Sequence, residues 1–233
     1  MKIVDLTQPL TAEMPVFPGT PPPKFNVKHT VESDGFREME ITMYSHTGTH
    51  LDTPAHVFPR GKKLEDYGAD QFWGPGLVLD VSQRKQGKIT LEVLQKALEK
   101  SLYRDREGKK TITGEEVLSS GGIPIDYLFF YTGWDQYWGD PSYVKGGPSL
   151  CEQAARKLTA LELKGVGIDA PSVDPLEGDR LLAHRILLEK EILIVENLRN
   201  LKELLEQDFE FYGFPLKIQG GEGSPIRGIG KIL

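Results

Sequence analysis

Short apolar runs alternate along this chain with amphipathic segments. Period-two alternation or continuous apolar character predicts strands at residues 2–6, 76–81, 127–131, 164–169 and 191–195. Helical spacing of apolar positions predicts helices that begin at Thr90 and span residues 148–163, 179–188 and 197–207. Strands that alternate with helices in this way indicate an α/β protein.

The N-terminal part follows a different pattern. Six prolines between Pro9 and Pro23 impose an extended path, with Phe17 lying among them. Residues 24–31 and 36–45 then alternate in polarity and predict a hairpin that turns at Asp34-Gly35. The second of these strands runs toward a group of histidines, so we expect that group at the end of a strand.

Length and composition indicate one domain. The chain has 233 residues, of which 39% are hydrophobic and 27% charged, which suits a single domain over residues 1–233. A net charge of −6 argues against a nucleic-acid partner. Cys151 is the only cysteine, and no apolar run is long enough to predict a membrane span or a secretory leader. We therefore expect a cytoplasmic protein with no membrane partner, in which Cys151 is a small packed residue.

Three of the five histidines and Asp52 lie within the eleven residues His46–His56. In a straight strand His46 and His50 would stand about 13 Å apart, too far to share one ion. A helix is disfavoured by the intervening Thr-Gly-Thr sequence. The conformation left is a strand that bends at Gly48, and this bend would bring His46, His50 and Asp52 together.

Two imidazoles and one carboxylate suit Zn²⁺, Mn²⁺ or Fe²⁺, and three protein ligands leave a coordination position open for water. An open position favours catalysis, and an imidazole such as His56 beside it is a candidate general acid and base. The alternative is a non-catalytic metal-binding protein, but structural zinc sites are usually closed and rich in cysteine. A zincin protease would need a His-Glu-x-x-His helix, which this segment lacks.

The pattern His-x-Gly-Thr-His-x-Asp-x-Pro-x-His at residues 46–56 resembles the signature of the cyclase-like metal-dependent hydrolases, whose best characterised branch is the bacterial kynurenine formamidases. Further similar segments lie at residues 5–10, 14–19, 131–134 and 167–174, and at His184 and Glu196. The resemblance therefore extends over nearly the whole chain.

The resemblance implies layered mixed β-sheets flanked by helices, in the swivelling β/β/α arrangement, and a homodimer or higher homo-oligomer. It also implies a divalent metal cofactor, Zn or Mn, with one or two ions per chain. His46, His50 and Asp52 would hold the first ion and His184 the second, while Asp52 and Glu196 would join both.

The implied activity is arylformamidase activity in tryptophan catabolism, in which a small-molecule substrate, N-formylkynurenine, is hydrolysed to kynurenine and formate. Phe17 would line the substrate pocket at a position where the family usually has tryptophan. Because of that difference and of the charged segment 83–115, an alternative remains: a related enzyme that hydrolyses another cyclic amide or lactone, as isatin hydrolases do.

Three further features have alternative interpretations. Asp169 and Asp174 flank a predicted loop at a strand end and either orient metal ligands or stabilise a turn. Aromatic side chains in residues 134–138 belong either to the core or to a substrate wall. The glycine-rich segment 220–223 lacks the strand-then-helix context of a phosphate-binding loop.

Overall fold

The structure is a computed structural model that describes residues 1–83, 87–104, 111–113, 125–177 and 180–233. Its strands are β1 (Lys2–Asp5), β2 (Lys24–His29), β3 (Glu38–Thr42), β4 (His50–Asp52), β5 (Trp73–Asp80), β6 (Lys88–Ile89), β7 (Leu102–Arg104), β8 (Thr111–Thr113), β9 (Tyr127–Tyr131), β10 (Ser149–Leu150), β11 (Gly165–Ile168), β12 (Leu193–Glu196), β13 (Phe209–Tyr212), β14 (Gly223–Pro225) and β15 (Ile229–Ile232). Its helices are α1 (Val31–Asp34), α2 (Leu91–Lys100), α3 (Glu152–Leu158) and α4 (Leu182–Glu189). The charged segment 83–115 lies partly outside these ranges.

One mixed sheet dominates the described part of the chain. Its nine strands lie in the order β1-β15-β13-β5-β9-β11-β12-β4-β14. The four strands β5, β9, β11 and β12 are parallel to one another, and the strands on either side of them run antiparallel. Parallel strands buried on both faces are apolar at successive positions, as the sequence Tyr-Leu-Phe-Phe-Tyr of β9 shows. The predicted α/β class is confirmed.

Each face of this sheet has its own hydrophobic layer. Leu128 and Phe130 of β9 point to one face, where they join apolar side chains of α2, α3 and α4. Tyr127 and Phe129 point to the other face, where they pack with Phe211 of β13 and with residues near both chain ends. Successive residues of a strand face opposite sides, so a single apolar strand supplies both layers.

The four central strands and α2 lie where the sequence predicts them. Thr90 caps α2, since its hydroxyl accepts a hydrogen bond from the Val93 amide. The interpretation of residues 1–233 as one domain stays a prediction. No helix within the described ranges is long and apolar enough to cross a membrane.

Two predicted helices are wrong in extent. The helix predicted at 148–163 is limited to α3, because residues 149–150 pair as β10 with β6 and the Cys151 sulfur caps the helix. The helix predicted at 197–207 is only a 3₁₀ turn at Leu201–Leu204. Backbone φ angles are positive at Asn197, Asn200 and Glu206, which a right-handed helix does not allow.

The predicted hairpin exists, but its connection and its end differ from the expectation. The helical turn α1 joins β2 to β3, and Gly35 closes that turn in the left-handed conformation, with φ 78°. β3 ends at Thr42, and the second part of the histidine motif forms the separate strand β4, which lies between β12 and β14 of the main sheet. The histidine group is therefore mounted on the central sheet rather than on the hairpin.

Candidate metal centre

A tight turn delivers the first histidines to the sheet. Gly48 has φ +70°, a left-handed conformation that favours glycine, and a Cβ added there would lie 2.5 Å from Cδ2 of the Leu10 side chain. The turn leads into β4, in which His50 lies opposite Glu196 of β12. The bend that the sequence predicts at Gly48 is therefore present, and it places a histidine beside the buried glutamate.

The first group of potential ligands is His46, His50 and Asp52. His46 directs Nδ1 to Asp52 Oδ1 at 2.6 Å, and His50 directs Nε2 to the same oxygen at 3.3 Å. One ligand atom from each residue lies within 4.8 Å of the others. We call this group the first triad.

A second group shares Asp52 and adds His184 and Glu196. His184 Nε2 lies 3.5 Å from Asp52 Oδ2 and 3.4 Å from Glu196 Oε1. These ligand atoms also lie within 4.8 Å of one another. In this second triad, α4 supplies the imidazole and the end of β12 supplies the glutamate, so the structure brings together all five residues that the resemblance names as ligands.

Backbone and carboxylate groups orient the second triad. Asp174 accepts hydrogen bonds from the His184 ring at Nδ1 (2.8 Å) and from the Ala183 and His184 amides at the start of α4. Glu196 Oε1 accepts a hydrogen bond from the Val173 amide at 2.8 Å. Asp174 therefore takes the orienting role that the sequence left open. Asp169 instead accepts hydrogen bonds from Thr132 and Gly133 after β9.

The charges of the cluster fit a bound cation. Burial opposes protonation of His50, but the charges of Asp52 and Glu196 outweigh it and raise the pKa of His50 to about 9. Burial is outweighed in the same way at His184, where Glu196, Asp174 and Asp52 raise the pKa to about 10. Asp52 is fully buried, and within the described chain its Oδ2 has no hydrogen-bond partner. A buried carboxylate oxygen without a hydrogen bond is unfavourable, and a divalent ion between these ligands would compensate for it.

His56 lies beside both triads and belongs to neither. Its ring centroid is 4.0 Å from that of His46 and 5.6 Å from that of His184. Burial is the main cause that lowers the pKa of His56 to about 4; Asp52 opposes the shift and the neighbouring histidines add to it. The imidazole is therefore neutral at pH 7, and the lowered pKa makes it a weaker base than an exposed histidine.

A cavity of about 260 Å³ opens over the two triads. The aromatic side chains that line its described part are Phe17, Tyr44 and Tyr143. Phe17, half exposed, therefore lies where the resemblance puts a substrate-binding residue. The aromatic group at residues 134–138 instead packs into or against the core on the helical face, which is the other interpretation that the sequence left open.

Sequence reasoning missed Tyr143 and Asn197 as pocket residues. Tyr143 donates a hydrogen bond from its hydroxyl to Asn197 Oδ1 at 2.9 Å, and Asn197 Nδ2 donates to the Gly48 carbonyl at 2.9 Å. The same carbonyl is 2.8 Å from His50 Nδ1. This network orients the His50 ring, yet its members lie far apart in sequence and no local pattern marks them.

Sequence comparisons extend the resemblance. The profile of the family described as "Putative cyclase" matches residues 4–175. A kynurenine formamidase from Bacillus cytotoxicus is 31% identical over 235 aligned positions, which cover 99% of this chain and 97% of the relative. A kynurenine formamidase from Bacillus thuringiensis is 30% identical, with 97% and 95% covered.

Solved structures show the same fold. Isatin hydrolase A from Labrenzia aggregata, bound to benzyl benzoate, has a TM-score of 0.80 at 24% identity, with 99% of this chain and 93% of that chain covered. A structure described as a potential metal-dependent hydrolase with cyclase activity has a TM-score of 0.74 at 25% identity, with 98% and 96% covered. The fold similarity therefore spans almost the full length of both chains in each pair.

Proposed function

Because this chain belongs to the cyclase family, we propose that its two triads form the active site of a metal-dependent amidohydrolase whose substrate is N-formylkynurenine. The products are kynurenine and formate. The observation that carries this proposal is the pair of overlapping triads, joined by Asp52, at the floor of the cavity. The full-length kynurenine formamidase relatives support the choice of substrate.

A divalent ion in this site supplies Lewis acidity, which polarises a carbonyl group and lowers the pKa of water toward about 7. The chain's own residues supply position and proton transfer. His56 faces the same space as the ligands, and its neutral imidazole accepts a proton from water and returns it to the leaving nitrogen. Its ring is set by contact with His46 and His184, so the proton acceptor and the ligands form one unit.

We propose two ions per chain, either Zn or Mn. Each triad offers imidazole nitrogen and carboxylate oxygen, donor atoms that suit both metals. The support for a second ion is geometric: Asp52 Oδ1 lies near His46 and His50, whereas Oδ2 lies near His184. Asp52 would therefore contribute a ligand to each of two ions.

The walls of the cavity fit an aromatic substrate. Phe17, Tyr44 and Tyr143 line the cavity together with the aliphatic Val144 and Leu181. Aromatic side chains stack favourably on a flat ring, and a mostly apolar pocket with a few polar groups at its base is typical of a small-molecule site. The polar base would then face the formamide.

The test is hydrolysis of N-formylkynurenine by metal-free protein reloaded separately with Zn²⁺ and Mn²⁺, with the bound metal measured in the same samples. We expect turnover in at least one loaded form and its loss on chelation. Absence of turnover at full metal occupancy would exclude this substrate. Activity on isatin in the same samples would then favour the alternative, a cyclic-amide hydrolase, for which the fold shared with isatin hydrolase is the supporting observation.

We also propose that the cytoplasmic protein is a homodimer or higher homo-oligomer. The hairpin β2–β3 pairs with no other strand in the described ranges and exposes Val27, Met39 and Ile41, while Tyr44 at its end lines the cavity. An isolated hairpin is marginally stable in water, so a second copy packed on it would both stabilise it and border the substrate site. Sedimentation of the wild type and of a Met39→Lys, Ile41→Lys variant tests this: the variant should shift toward monomer, and a monomeric wild type would refute the proposal.

A further inference from the structure

The glycine-rich segment at residues 220–223 lies beside the metal centre. Its last residue begins β14, and Gly223 lies opposite Asp52 of β4. The Glu222 carbonyl accepts hydrogen bonds from the Thr53 amide at 2.9 Å and the Thr53 hydroxyl at 3.0 Å. These contacts fix Glu222 directly beside the strand that carries the shared carboxylate.

The Glu222 side chain reaches the first histidine of the motif. Its Oε1 accepts a hydrogen bond from the Ser45 hydroxyl at 2.6 Å and lies 3.4 Å from His46 Nε2. That nitrogen is buried, and within the described chain it has no hydrogen-bond partner. The Glu222 carboxylate is therefore placed to accept a hydrogen bond from His46 Nε2, which lacks an acceptor.

The approach of this segment to His46 depends on glycine. A Cβ added at Gly223 would lie 2.6 Å from His46 Cε1 and 3.0 Å from the Leu51 carbonyl oxygen. The second of these atoms belongs to the backbone and cannot move aside easily. The absence of a side chain at position 223 is what lets the segment pack against the imidazole.

His50 and His184 show what an acceptor at His46 Nε2 would do. His50 turns Nε2 toward Asp52 and Nδ1 toward the Gly48 carbonyl. His184 turns Nε2 toward Asp52 and Nδ1 toward Asp174. In each ring one nitrogen faces the ligand cluster and the other faces an acceptor, which fixes the tautomer and strengthens the ligand.

We propose that Glu222 is the positioning residue for His46: it accepts the Nε2–H of that imidazole and leaves Nδ1, the nitrogen that faces Asp52, to bind the ion of the first triad. This inference rests on the proposed function in that it takes His46 as a ligand. The Ser45 hydroxyl holds the Glu222 carboxylate in place, so the three residues form a chain from the loop to the ion. Glu222 touches no substrate atom in this scheme and acts only through His46.

Zinc affinity of the metal-free protein provides the first test. We would titrate Zn²⁺ against a competing chelator in wild type, Glu222→Leu, which removes the acceptor, and Glu222→Gln, which keeps the size and one acceptor oxygen. We expect one of the two bound ions to weaken by about 10–100-fold in Glu222→Leu and by less in Glu222→Gln. Glu65→Gln is the matched control, because Glu65 holds the same segment through the Gly220 amide. Its zinc affinity should equal that of the wild type, and equal affinities in all four proteins would overturn the proposal.

The tautomer of His46 provides the second test, which a general structural defect would not mimic. Long-range ¹H–¹⁵N spectra of the zinc-loaded protein should show the His46 proton on Nε2, whereas Glu222→Gln, which is the variant least likely to unfold, should show a shifted Nε2 resonance. A proton on Nδ1 in the wild type would overturn the proposal. Neither measurement uses a substrate, so failure to hydrolyse N-formylkynurenine would refute the proposed function and leave this inference to be judged on its own.

Discussion

The two triads of the metal centre differ in how the chain builds them. The first comes from a single stretch of seven residues, His46–Asp52, and the His46 side chain is 24% exposed at the cavity. The second adds His184 and Glu196, which lie more than 130 residues further along the chain and whose side chains are only 3% and 6% exposed. We call the first triad open, because its His46 is partly exposed, and the second triad closed, because the two residues it adds are buried. The open triad is local in sequence, whereas the closed triad joins distant segments.

This difference separates two tasks. Both triads line the cavity, but His46 of the open triad is the ligand side chain most exposed there and lies closest to His56. The closed triad is fixed by hydrogen bonds from α4 and from the loop before it. Asp52 belongs to both triads, so its substitution should impair ion binding at both.

The largest expected effect is that of Asp52→Asn. The change removes the shared charge while it preserves the shape of the side chain, so we expect both ions to be lost and turnover to fall by at least about a thousandfold. Unfolding of the metal-free variant must be measured beside its metal content, because Asp52 also contacts His46 at 2.6 Å and lies within 3.5 Å of His50 and His184. Metal content, turnover and unfolding of the metal-free protein are the measurements. Retention of one ion at full occupancy would show that the triads do not depend on a common ligand.

A smaller effect is expected from His56→Ala, which leaves both triads intact. Loss of a general acid and base should lower turnover by about a hundredfold or more, with metal content unchanged. His29→Ala is the matched control for metal content, because His29 belongs to neither triad and should leave that content unchanged. Metal loss in His56→Ala would instead make His56 a ligand of the open triad.

Asp174→Asn should act on the closed triad alone. It removes the charge that orients His184, and we expect the affinity for one ion to fall by about 10–100-fold. In competition titrations, Asp174→Asn and the Glu222 variants should each lower the affinity for a different ion. The double variant should lower the affinity for both. If all of these variants weaken the same ion, the two triads are not separate sites.

The smallest effect concerns a buried carboxylate that belongs to neither triad. Burial raises the pKa of Asp169 to about 7, although Thr132 and Gly133 donate hydrogen bonds to it. A carboxyl whose pKa is higher in the folded than in the unfolded state stabilises the fold at low pH, and that contribution is lost as the pH rises from about 4 through 7. Denaturant titrations of metal-free protein should show the wild type losing more than about 1 kcal/mol relative to Asp169→Asn over this range. If the unfolding free energies of the two proteins change in parallel with pH, the raised pKa of Asp169 is contradicted.

The same contrast explains how much of the molecule the sequence predicts. The bend at Gly48 was predictable because covalent spacing within five residues excludes a straight strand and glycine permits the turn. The central strands were predictable because burial on both faces makes them apolar throughout. The identity of His184 and Glu196 as neighbours of Asp52 came only from the family resemblance, because their meeting depends on the pairing of β12 with β4 and on the packing of α4.

Other features lay beyond sequence reasoning for the same reason. Asn197 was placed in a predicted helix, but tertiary contacts hold it at φ 57° and turn its side chain toward Gly48. Glu222 appeared only as part of a glycine-rich loop, and its contact with His46 requires β14 to pair with β4. Apolar periodicity reports which face of an element is buried; it carries no information about which polar side chains meet across the sheet.

The most direct test of the account is the position of the ions in crystals of the zinc-loaded protein, located by anomalous scattering at the zinc edge. We predict two peaks, one among His46, His50 and Asp52 and the other among Asp52, His184 and Glu196, with one Asp52 oxygen directed to each. Ions bound without Asp52, or outside these two groups, would show that this buried carboxylate does not join an open and a closed half of one metal centre.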